Sequence, residues 1–285
     1  MLHPTSIFRR IPTAISLSQR RLLGALAYAN DGAELSFERL KEAARAYHLP
    51  ADGLSYEECG WVPTNRLSII TDAWACIDHL NRARKLVQRF PCGEPPPPEL
   101  VHFLDATAPA NRIRNRLQHL DEDIISGANC VEGNPVLGTL SWADARTAGG
   151  HIRYSISSGP SIDGGKMAGL QIIDVDGAED VLDFRLMAAD QSVQLDQMMK
   201  ALADFMDTFE VTVSRAVIST LRAAVVEKGE SLELPRPHGI ADMTMAIRMK
   251  RKPGGGWKSG NGDCFAIVEV PAGDFYINHE PIESA

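Results

Sequence analysis

The stretch Thr64-Asn65-Arg66-Leu67-Ser68-Ile69-Ile70-Thr71-Asp72-Ala73-Trp74-Ala75-Cys76-Ile77-Asp78-His79-Leu80-Asn81-Arg82-Ala83-Arg84-Lys85-Leu86-Val87-Gln88-Arg89-Phe90 decides the fold. Leu67, Ile70, Ala73, Trp74, Ile77, Leu80, Ala83, Leu86 and Val87 keep one apolar stripe at helical spacing through about seven turns, with Asp72, Asp78, Arg82 and Lys85 largely beside it. A helix of that length with a single apolar face has to bury it against other helices, so the spacing predicts a bundle. Pro91-Cys92-Gly93-Glu94-Pro95-Pro96-Pro97-Pro98 ends the helix, because proline has no amide hydrogen and the run favours an extended polyproline segment. The chain must turn back there.

On the N-terminal side, Leu22, Leu23, Leu26 and Ala27 predict a helix from Ser18 to Asn30, stopped by Asp31-Gly32. Ser36 reads as the N-cap of a further helix carrying Phe37, Leu40, Ala43, Ala44 and Tyr47 and ending at Pro50. Residues 51–63 read as a connection. On the C-terminal side a short helix is predicted over Glu99–Asp105. A second long one follows over Pro109–Ser126, with Ile113, Leu117, Leu120, Ile124 and Ile125 on one face and Gly127 as its stop.

The period changes after Val136. Val136, Leu137, Leu140 and Trp142, then His151–Ser157, then Leu170–Val175 read as short strands separated by glycine-rich turns. From Ser192 to Glu227 the helical period returns with Val193, Leu195, Met198, Met199, Leu202, Phe205, Met206, Phe209, Val213, Val217, Leu221 and Val225, a second spine for the bundle. Two further strands are predicted at Met243–Met249 and Cys264–Val270, with a short segment at Phe275–Asn278. The expected fold class is α+β, mainly α: a long-helix bundle with an inserted small antiparallel β meander and a C-terminal β segment. The bundle would occupy residues 1–228 with the insertion at about 136–183, and residues 229–285 would form a β segment that could pack on it.

The 285 residues are 44% hydrophobic and 23% charged, a globular balance long enough for one large domain or two small ones. No stretch approaches the roughly 20 apolar residues that cross a bilayer, and the N-terminus lacks the continuous apolar core of a signal peptide, so no membrane association and a cytoplasmic location are expected. Cys59, Cys76, Cys92, Cys130 and Cys264 are scattered and odd in number, suggesting neither a disulfide framework nor a zinc knuckle. With a formal net charge of -8 the whole protein exerts no pull on nucleic acid, so any such contact would have to be local.

The local pattern that stands out is Arg114-Asn115-Arg116-Leu117-Gln118-His119, inside the helix after the proline loop. Five residues of helix rotate by about 500°, roughly 140° net, so Arg114 would have to reach sideways to meet the His119 imidazole. Arg116 and Glu122, three residues away on either side, are the nearer neighbours of His119.

Here the sequence resembles the HEPN family, whose helical bundle carries an Arg, a polar residue that is often Asn, and a His a few positions later. Arg114, Asn115 and His119 match that motif at its shorter spacing. The resemblance covers mainly Thr64–Ser126. It implies a metal-independent endoribonuclease, or an RNA-binding relative, in a bacterial defence or toxin–antitoxin setting. His119 would handle the 2′-hydroxyl or leaving-group proton, and Arg114 would steady charge on the scissile phosphate. It also implies a homodimer whose cleft pairs two motifs, RNA as the partner, a neutralising protein and no cofactor.

The same residues also read as a solvated helix face in which Arg112, Arg114 and Arg116 pair with Asp121, Glu122 and Asp123. That fits a non-catalytic interaction or scaffold protein. A third reading is a small-ligand binder with a pocket between bundle and meander lined by Trp142, Tyr154 and Phe184. His119 with Glu122, and His79 beside Asp78, give a weaker metal-site pattern, because bundle sites draw Glu-x-x-His from facing helices and that spacing is absent. His151 and Tyr154 share a predicted strand, where a histidine more often satisfies a neighbouring backbone group. The segment from Pro253 to Gly260 lacks phosphate-loop spacing and reads as a basic hairpin tip around Trp257.

Overall fold

The computed structural model of the chain describes residues 1–3, 5–12, 15–47, 63–90, 96–118, 138–146, 152–157, 180–188, 191–228, 244–247, 250–251, 257–258 and 266–269. Within these the fold is α+β and mainly helical. Among the predicted features, His119, His151, Leu170–Val175 and Phe275–Asn278 lie outside the described residues.

Helix α1 (Leu17–Arg45) is capped by Ser16, whose hydroxyl accepts from the Gln19 amide. It runs without a break through Asp31-Gly32, where the sequence predicts a stop, and through Ser36, where it predicts a new start. Packing overrides both local signals. The Asp31 carboxylate is occupied from outside the helix, accepting from the Leu2 amide at 2.7 Å and pairing with Arg9. Ser36 is buried along the inner face with Phe37 and Leu40.

Gly32 is where α1 meets α2 (Pro63–Val87). A Cβ at this position would lie 2.4 to 2.7 Å from three atoms of the His79 ring, which Tyr28 flanks edge-on at 5.6 Å. Lower on the same pair Arg39 reaches Asp72 at 3.2 Å, and this descending match of numbers makes the two helices antiparallel. Gly32→Ala is therefore expected to gain about 1 kcal/mol of helix propensity and lose about 1–3 kcal/mol to overpacking. Urea unfolding should show a net loss in the wild-type background and a gain when His79→Ala has removed the ring. A gain in both backgrounds would mean the ring yields freely.

Helices α3 (Pro98–Ala106) and α4 (Ala108–Gln118) follow the proline run and are divided at Thr107, whose hydroxyl donates to the Phe103 carbonyl at 2.6 Å. The sequence predicts the second of these to reach Ser126; residues past Gln118 lie outside the described set. The long spine is α5 (Leu195–Lys228). Its Phe205 stacks on Phe103 of α3 at 5.0 Å, and its Phe209 meets both Phe90 at 5.1 Å and Phe8 at 6.0 Å. The 3-10 turn Ile7–Arg9 is fixed to the same helix by the Ile7 amide, which donates to Glu210 at 3.0 Å.

Strands β1 (Thr139–Asp144), β2 (Ile152–Ser157), β3 (Val181–Ala188) and β4 (Gln191–Gln194) form an antiparallel sheet in the order β2-β1-β3-β4. Two corrections follow for the predicted meander. The strand beside β1 on the side away from β2 is Val181–Ala188, at and beyond the predicted end of the insertion, and Ser192-Val193 belongs to β4, not to the long helix. Asp183 explains the first. It stands in the left-handed region at φ 55°, where the register against β1 slips between Ser141 and Ala143, and this bulge breaks the alternation that marks a strand. Val193 explains the second, since it is buried as a strand residue opposite Leu186 and mimics a helical stripe.

Toward the C-terminus β5 (Thr244–Ile247) pairs antiparallel with β8 (Ala266–Glu269), inside the two strands predicted there. Between them β6 (Lys250–Arg251) pairs with β7 (Trp257–Lys258), the base of the predicted hairpin.

Candidate functional site

Helix α4 lies between α2 and the edge strand β4. Ala110 and Ile113 are fully buried on its inner side, which turns Arg112, Arg114 and Asn115 toward the rim of the contact. Arg112 spans to β4, its Nε donating to the Gln191 side-chain oxygen at 3.0 Å. Arg114 turns the other way. Its Nε donates to Asp78 of α2 at 2.5 Å and its Nη1 to Gln118 one turn on at 2.9 Å.

Asp78 is also held by Arg82, one turn along α2, at 2.6 Å. Partial burial pushes the Asp78 carboxyl upward, but the hydrogen bond from Arg114 and the charge of Arg82 outweigh it, and the group lies below the ordinary carboxylate range. Two guanidinium groups thus share one carboxylate and leave a local positive charge on a chain that is acidic overall. Nothing among the described residues accepts from Nη2 of Arg114, and a fifth of the side chain stays exposed. Asn115 is exposed beside it.

The structure therefore brings together two of the three predicted site residues, Arg114 and Asn115, and adds Asp78, Arg82 and Gln118. The third, His119, is the next residue after the described end of α4. The acid that the structure places against Arg114 is Asp78 from the neighbouring helix, while Asp121, Glu122 and Asp123, the partners predicted for the arginines, lie outside the described residues. The Asp78–Arg114 match is not visible in the sequence, because 36 positions separate the two residues. The i, i+4 spacings of Asp78 with Arg82 and of Arg114 with Gln118 are local signals for parts of this cluster.

His79 faces away from this cluster into the α1–α2 seam. Burial and the charge of Arg82 hold its imidazole below the ordinary histidine value, against the pull of Asp78. Among the described residues no group of three or more His, Cys, Asp or Glu side chains is placed to hold a metal. Cys76 is buried with its Sγ 3.5 Å from the Met199 sulfur, and burial pushes its thiol far up, which makes it a packing residue.

Trp142, Tyr154 and Phe184 do come together, and all three are buried. Trp142 stacks on Tyr154 at 5.3 Å and on Phe184 at 6.3 Å, Tyr47 meets Trp142 and Tyr154 edge-on at 5.5 Å, and Phe37 meets Phe184 at 5.7 Å. These rings are the contact through which the sheet packs on α1.

No helix among the described residues is long and apolar enough to cross a membrane. The chain matches no protein-family description, no curated protein and no solved structure.

Proposed function

We propose that the protein is an HEPN-like, metal-independent endoribonuclease whose RNA-facing surface is the α2–α4 rim around Arg114. The observation that supports it is the held guanidinium: Asp78 and Gln118 fix two of its nitrogens and leave the Nη2 edge for a phosphate oxygen. An arginine fixed in advance loses little side-chain freedom when it meets charge that develops on the phosphorus oxygens. His119 supplies proton transfer. As base it takes the proton of the 2′-hydroxyl, whose oxygen attacks the adjacent phosphorus, and the 5′-oxygen leaves with a proton from an acid. The products are a 2′,3′-cyclic phosphate and a 5′-hydroxyl. The motif pairing implied by the resemblance makes the active species a homodimer.

A non-catalytic interaction protein would use the same Asp78–Arg114 pair only to tie α4 to α2. Cleavage of single-stranded RNA in the presence of EDTA separates the two readings. Wild type should cut, and His119→Ala should lower the rate by about 10²–10⁴ with its circular dichroism unchanged. Absence of cleavage by wild type across several RNAs would rule the nuclease out and leave the interaction protein.

A further inference from the structure

We propose that single-stranded RNA crosses the outer face of α4 and that Arg112, on the flank toward β4, holds a second phosphate in addition to the one assigned to Arg114. This rests on the nuclease reading and extends its site by one contact. Helix α4 carries Arg112, Arg114 and Arg116 and no acidic residue, on a chain whose formal net charge is -8. Buried Ala110 and Ile113 fix its inward side, and at about 100° per residue Arg112 and Arg114, one on each side of Ile113, project to opposite flanks. Asn111, Asn115 and Gln118 form the ridge between those flanks, with Asn115 and Gln118 exposed. A strand crossing this ridge meets amides that donate and accept hydrogen bonds and meets no carboxylate.

Arg112 is held as Arg114 is, by its Nε. That nitrogen donates to the Gln191 side-chain oxygen of β4 at 3.0 Å, and among the described residues neither Nη group meets an acceptor and no carboxylate pairs with the guanidinium. The side chain is exposed, so the free Nη edge faces solvent with its fork already oriented, the form that matches two phosphate oxygens. A second cation stands behind it. Arg84 of α2 donates to the Thr107 hydroxyl at 3.3 Å and to the Leu104 carbonyl. Burial holds the Arg84 guanidinium below its ordinary value, with the charge of Asp105 opposing and that of Arg112 adding to the effect. An anion at Arg112 relieves that like-charge contact. A helix with its side chains is about 10–12 Å across, so arginines on its two flanks engage different phosphates of one strand.

The test is fluorescence anisotropy of a labelled single-stranded RNA of about 12 nucleotides, titrated at a series of salt concentrations with variants built on His119→Ala. Adding Arg112→Gln should weaken binding and make the salt slope shallower by about 0.7, and adding Arg114→Ala as well should bring the total to about 1.4. Arg112→Lys should keep the parent slope, because the charge and not the bond to Gln191 meets the phosphate. Circular dichroism should be the same for all, since Arg112 is exposed. An unchanged slope in Arg112→Gln would overturn the second contact and leave the nuclease reading standing wherever Arg114→Ala still lowers the slope. A lysine variant that loses as much as the glutamine one would reduce Arg112 to a tie between α4 and β4, and a combined loss of only about 0.7 would mean one shared phosphate; each overturns the proposal. No RNA binding by His119→Ala would overturn the nuclease reading and this contact with it.

Discussion

Asp183→Ala is expected to destabilise the protein by about 3–5 kcal/mol, because it removes one partner of a buried ion pair and leaves the other behind. The side chains of Asp183 and Arg153 are both more than nine-tenths buried, and Arg185 and Gln194 depend on the same carboxylate. The position is also costly by itself. A non-glycine residue at φ 55° persists only where its surroundings hold it, and here three hydrogen-bonded side chains from β2, β3 and β4 do so. Asp183→Asn keeps the shape and tolerance of the left-handed backbone but not the charge, so its loss should be smaller. Urea unfolding of the two variants measures the difference. A loss under about 1 kcal/mol for the alanine variant would mean that Arg153 reaches water once freed.

Trp142→Ala is the second large effect, also about 3–5 kcal/mol. Trp142 is fully buried on the central strand and is touched by Tyr47, Tyr154 and Phe184, so the void left by the indole has rings on several sides that cannot close it. Its Nε1 hydrogen has no acceptor, so Trp142→Phe gives up ring area without stranding a polar partner. The phenylalanine variant should fall well short of the alanine loss. Thermal melts of both variants decide the role of the cluster. A stable Trp142→Ala protein would make the rings the lining of an open pocket, as the small-ligand reading of the sequence requires; a large loss makes them core.

The helices were legible wherever periodicity was long and uninterrupted. Thr64–Phe90 and Ser192–Glu227 match α2 and α5 to within a few residues, because an apolar stripe sustained over many turns has one way to be buried. Local signals misled where tertiary contacts outweighed them. Asp31-Gly32 has the form of a stop, yet the glycine makes room for His79 and the aspartate receives Arg9. The strand at Val181–Ala188 escaped because a bulge at Asp183 spoils the period-two pattern. At the candidate site, Arg114 and Asn115 could be read from a motif within one helix. Asp78 could not, since its part depends on how two helices dock.

The central claim is that RNA phosphate is held at the α2–α4 rim by Arg114. Its most direct test is fluorescence anisotropy of a labelled single-stranded RNA titrated with His119→Ala, which blocks cleavage, and with His119→Ala/Arg114→Ala, each over a series of salt concentrations. The account predicts binding by the first protein and affinity about tenfold or more lower for the second. The salt slope of the second should also be shallower by about 0.7, the loss of one phosphate contact on a single strand. Equal affinity and equal slope for the two proteins, or no RNA binding by His119→Ala, would contradict it.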